Sequence, residues 1–79
     1  MICEETRCEA LFVSHLQRSE QATPEVIRDV VESSVERHGE RGCAALVAQE
    51  FGEHPETAVG RMLWARSAVR AAYSDLRAA

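Results

Sequence analysis

From Pro55 to Leu76 the small and apolar residues Ala58, Met62, Ala65, Val69, Ala72, Tyr73 and Leu76 recur every three or four positions. At about 100° per residue that spacing gathers them on one side of a single helix, and no strand reproduces it. A helix this long needs other elements to cover its apolar side, and the rest of the chain offers only more helix. Thr6-Arg7-Cys8-Glu9 has the form of a capping box, followed by Cys8, Leu11, Phe12, His15 and Leu16 on one face. Thr23-Pro24-Glu25 combines a cap, a proline at the first helical position and an acid in the first turn. Val26, Ile27, Val30, Val31 and Val35 then form the inward stripe of a second helix. Gly39 is expected to end it, and Gly42 to mark the next start. A short third helix, with Ala44, Val47, Ala48 and Phe51 turned inward, leads to the long one. The expected architecture is one all-α domain over residues 1–79, with helices at about 6–17, 24–38, 43–51 and 55–76. Its C-terminal half reads as a helix-turn-helix.

Seventy-nine residues bury only about 60% of the surface that the unfolded chain exposes, so pairing with a second copy would add considerable stability. No run of about 18 apolar residues is present to span a membrane. The opening MICEETRC carries two glutamates where a secretory signal would be basic and then apolar, which points to the cytoplasm. All nine basic residues are Arg and none is Lys; with abundant Ala, that composition suggests a bacterium with GC-rich coding sequence. Charge is unevenly spread. Residues 1–54 hold eleven acids and five Arg, a net of −6, whereas residues 55–79 hold two acids and four Arg, a net of +2. An acidic whole opposes non-specific binding to phosphates, but the basic last helix leaves DNA as a possible partner.

The segment Val47 to Arg66, VAQEFGEHPETAVGRMLWAR, carries the helix-turn-helix reading. Gly52 supplies a residue able to take the positive φ that closes one helix, and Pro55 suits the first position of the next. With Ala48, Phe51, Gly52, Thr57, Arg61, Met62 and Ala65 in place, the segment resembles the helix-turn-helix of sigma-factor region 4 and of LuxR-type regulators. The resemblance covers about a quarter of the chain. It implies double-stranded DNA as partner, with His54, Glu56, Thr57, Gly60 and Arg61 following the turn and facing the groove. Arg41 and Arg66 would then lie near phosphates. The function expected on this reading is a small non-catalytic, transcription-associated regulator.

A second reading is a protein-interaction module or dimeric adaptor that never meets DNA. Glu53 stands where the family buries an aliphatic residue, and Glu56 would face phosphates unfavourably. Trp64 projects nearly opposite the apolar side of the last helix, along a ridge with Gly60, Ala68 and Ala71 and beside Leu63. Small residues permit close helix approach, and Trp is a frequent anchor of interfaces. The alternative use of Trp64 is internal, folded beneath the N-terminal helix so that the last helix has contacts on two sides.

Cys3, Cys8 and Cys43, with His15 or His54, do not have the paired spacing of a zinc knuckle, so no metal is expected. Cys8 lies on the apolar stripe as a small core residue, and His15 on its buried edge. Cys43, at an expected helix start where the dipole lowers a thiol pKa, is the redox candidate. No nucleophile–His–acid spacing, glycine-rich phosphate loop or isolated carboxylate pair supports an enzyme, and no cofactor or small-molecule substrate is expected.

Overall fold

The computed structural model describes residues 2–78, with side chains as far as Ser74. Three α-helices, α1 (Glu4–Phe12), α2 (Pro24–Glu53) and α3 (Pro55–Ala78), are joined by a connection that contains a 3-10 turn over Arg18–Glu20. Each α-helix packs against the other two. No strand occurs among the described residues. The all-α class is as expected; the count is three helices and not four.

The inward side of α3 is the one that its periodicity predicts. Ala58, Met62, Ala65, Val69, Ala72 and Tyr73 are all buried, while the side chain of Leu76 lies outside the described residues. They meet Cys8, Ala10, Leu11 and Phe12 from α1 and Ile27, Val31, Cys43 and Val47 from α2. Phe12 and Phe51 stack with ring centroids 5.9 Å apart. Arg7 lies 4.0 Å from the Tyr73 ring centroid, and Arg28 donates to the Ala72 carbonyl at 2.6 Å, so two cations close the far end of this core.

α1 departs from expectation at both ends. It begins at Glu4 with Cys3 at the cap position, so Thr6 is no cap and Glu9 closes no capping box. Thr6 is buried one turn in, where its hydroxyl meets Cys3 Sγ at 3.4 Å. The helix stops at Phe12 and does not continue to residue 17. Ser14 explains the stop: its hydroxyl donates to the Leu11 carbonyl at 2.7 Å and accepts from the Leu16 amide at 3.3 Å, offering the backbone local partners in place of a further turn. His15 is consequently exposed and not on a buried edge.

Thr23 caps α2 as its sequence predicts, accepting from the Val26 amide at 3.3 Å, with Pro24 at the first helical position. Ile27 and Val31 are buried, Val30 and Val35 half-buried, and Val26 is largely exposed. The break expected between the second and third helices falls within α2, whose two helical segments meet directly at Gly39; its φ of 73° and ψ of 167° are not helical and suit glycine almost alone. Gly42 completes the kink, since a Cβ there would approach His38 Cβ to 3.1 Å. Beyond the kink the inward positions are Cys43 and Val47, with Phe51 half-buried; Ala44 and Ala48, expected inside, are exposed.

The turn expected at Gly52 does not form. Gly52 continues α2 without a positive φ, and the helix runs to Glu53. His54 alone separates α2 from α3, with a non-helical backbone (φ −139°, ψ 63°), and the proline that follows disfavours helical geometry there. A helix-turn-helix uses a turn of about three to four residues, and the joint here is one residue long.

Candidate binding face around Arg61 and Trp64

Arg61, expected to reach a DNA groove, is turned into the molecule. Its Nε donates to the Phe12 carbonyl at 2.7 Å, and its Nη2 donates to the carbonyls of Ser14 at 2.9 Å and Leu16 at 3.1 Å, with Leu11 at 3.5 Å. One guanidinium therefore gathers the carbonyls that the end of α1 leaves without helical partners. The same group lies 4.9 Å from the Trp64 ring centroid and 5.8 Å from that of Phe12. Burial lowers the Arg61 pKa from its ordinary value, because desolvation disfavours the charged form. All its hydrogen-bond partners are neutral, and it forms no ion pair among the described residues. Its Nε and Nη2 have partners, and its charge is not cancelled.

Trp64 is half-buried and stands between two clefts. The first, about 480 Å³, is bounded on α3 by Thr57, Gly60, Arg61 and Trp64 and on the connection by Gln17, Arg18 and Ser19. The second, about 190 Å³, lies across the indole, with Ala68, Ala71 and Ala72 on its α3 side and Ala22, Pro24 and Ile27 opposite. The connection thus flanks Trp64 without covering it. No carboxylate among the described residues lines either cleft. Glu20 and Glu56 stand next to the first cleft in sequence and Glu25 next to the second; Glu20 accepts from the Gln17 amide at 2.7 Å in a capping box around the 3-10 turn.

Of the expected interface residues, Gly60, Trp64, Ala68 and Ala71 come together along these clefts. Leu63 points away from them and is 64% exposed, one turn from Val59 at 51%. Gly60 is helical, and a Cβ built on it would meet nothing within 4 Å. Neither backbone conformation nor internal packing requires glycine there.

The residues expected at DNA fall into two groups. His54 and Thr57 stay together at the α2–α3 joint, where the Thr57 hydroxyl donates to the His54 carbonyl at 3.2 Å. His54 Nδ1 is also 3.4 Å from Glu50 Oε2. Arg41 and Arg66 are exposed, and Arg61 is withdrawn as described. The joint is ringed by Glu50, Glu53 and Glu56, a poor surface for phosphates.

Glu50, Glu53 and His54 bring one ligand atom each within 4.8 Å of one another, a set that could hold a cation; among the described residues no such group includes a cysteine. The cysteines also exchange their expected roles. Cys43 is fully buried, and burial pushes its thiol pKa up, not down. Its Sγ donates to the Ser34 carbonyl at 3.8 Å. The thiol at a helix start is Cys3, lowered chiefly by its hydrogen bond with the Thr6 side chain and exposed to solvent. Burial raises Cys8 likewise, as suits a core residue.

Sequence reasoning missed the role of Arg61 because its partners lie 45 to 50 residues away and are backbone carbonyls, which leave no signature in side-chain pattern. It also missed Gln17, Arg18 and Ser19 as cleft residues, because it ran the first helix to residue 17 and gave the residues between the helices no role. No described helix is long and apolar enough to cross a membrane. Comparison with protein-family models, with curated proteins and with solved structures finds no match to this chain.

Proposed function

We propose that this chain is a non-catalytic protein-interaction module whose partner docks on the Trp64 face of α3. The observation that carries this reading is Trp64 itself: a large ring left half-open between two clefts, over a floor of Gly60, Ala68 and Ala71. Aromatic side chains in such positions give large apolar contact at small cost in side-chain freedom, and neighbouring small residues let a partner backbone come near. Val59 and Leu63 extend apolar surface along the adjoining side of α3. A mid-helix glycine lowers helix stability by roughly 0.5–1 kcal/mol relative to alanine, so Gly60 has a cost that nothing inside the domain offsets.

DNA binding through the α2–α3 joint is the weaker reading. It would rest on His54, Thr57, Arg41 and Arg66 without Arg61, against three surrounding glutamates. A photo-crosslinking residue at exposed Ala71, in the full chain and in its own cells, tests the interaction reading. A discrete crosslinked protein from Ala71 and none from a control site at Glu36 is expected. No adduct, or equal adducts from both sites, would overturn it. Salt-dependent binding to mixed duplex DNA, measured by fluorescence anisotropy and lost with Arg66→Gln, would instead support the DNA reading.

A further inference from the structure

We infer that the cleft between Trp64 and the 3-10 turn is an anion seat, and that it receives an acidic side chain of an apolar peptide segment on the docking partner. This inference rests on the interaction reading above and names the chemistry of the partner. Two arginines, Arg18 and Arg61, face one cleft of about 480 Å³ in a chain of net charge −4, and no carboxylate among the described residues lines it. Arg61 is held in place by neutral carbonyls, so it keeps a fixed, partly desolvated positive charge with no counter-ion among the described residues. A desolvated cation draws an anion more strongly than one in open water, because screening falls with burial. Arg18 is exposed and unpaired among the described residues, free to turn its donors toward the same anion.

The rest of the cleft suits a peptide more than a bare ion. Ser19 and Thr57 add hydroxyls at its rim, Trp64 gives an apolar wall, and the bare Gly60 backbone allows a partner main chain to approach α3 closely. Across the indole, the second cleft is floored by Ala68 and Ala71 and takes an apolar side chain. The expected partner segment therefore carries a Glu or Asp beside an apolar residue.

The test uses the isotope-labelled full chain and follows the Trp64 indole N–H, the Arg61 Nε–H and the Gly60 amide by NMR. The probes are a short end-blocked peptide of Leu, Ala and Glu, the same peptide with Gln for Glu, and inorganic phosphate. The Glu peptide should shift all three signals and the Gln peptide should bind about tenfold more weakly. Arg18→Gln, at an exposed position, should give a similar tenfold loss with the fold intact. Gly60→Ala should block binding while leaving the domain at least as stable. Equal binding of both peptides would overturn the anion seat. Shifts with phosphate and none with peptide would overturn the acidic-segment assignment in favour of a phosphate ligand. No shift with any probe would overturn the inference, and a persistent Ala71 crosslink would then leave the interaction reading standing with a partner of other chemistry.

Discussion

The joints at Gly39 and at His54 both divide helix from helix, and they do so by different physics. At Gly39 the backbone enters a region nearly closed to other residues, and Gly42 then lets the next turn pass close to His38. Helix resumes at once, so α2 is two helical segments joined end to end at this residue. At His54 no special conformation is needed. Pro55 lacks the N–H that would continue α2 and disfavours helical geometry for the residue before it, and the same ring then starts α3. A glycine is required in the first joint and is incidental near the second, where Gly52 is simply a helical residue with space around it.

That contrast can be broken at the first joint with the largest effect. Gly39→Val should destabilise the domain by about 1–3 kcal/mol through backbone strain alone, since no atom crowds a Cβ there. Urea denaturation reads the loss. Cys43 sharpens the same experiment, because its Sγ reaches back across the joint to the Ser34 carbonyl. Thiol labelling of the wild-type chain should modify Cys3 rapidly and the buried Cys8 and Cys43 slowly, and Gly39→Val should speed Cys43 more than Cys8. A raised thiol pKa in the folded state also means that Cys43 favours folding below its unfolded pKa and loses that contribution as pH rises through the alkaline range.

The connection between α1 and α2 follows a third rule, in which a distant side chain holds the backbone. Arg61→Met should keep most of the packing but release the carbonyls of Phe12, Ser14 and Leu16, at a cost of about 2 kcal/mol by thermal melting. Thr23→Ala should cost about 1 kcal/mol by removing the cap of α2. The smallest effect has the opposite sign. Gly52→Ala should stabilise by roughly 0.5–1 kcal/mol, as expected for a helical glycine with open space around it. A loss there would show that Gly52 serves a turn after all.

What could be read in the residues divides along the same lines. The buried side of α3 was legible because six inward positions share one helical period, and the start of α2 because Thr23, Pro24 and Glu25 agree. The break at Gly39 was legible as a place and not as a kind, since a glycine that kinks a helix and one that ends it look alike in one dimension. Ala44 and Ala48 were misplaced because the inward line of this segment is the i, i+4, i+8 row Cys43, Val47 and Phe51, and alanines are small enough to suit either side. At the candidate face, Gly60, Trp64, Ala68 and Ala71 were found from spacing on one helix. Arg18 was not, because it reaches the cleft from another element. Arg61 was singled out and given the wrong direction: the periodicity of α3 does not say that the end of α1 lies within its reach.

The reach of Arg61 also sets an order of events during synthesis. The carbonyls it gathers belong to residues that leave the ribosome 45 to 50 positions earlier. Until α3 emerges, α1 has a frayed end, and the cleft beside Trp64 has only one wall. Truncation anywhere before residue 61 should therefore yield a chain whose first helix is present only in part, and whose binding face is never assembled.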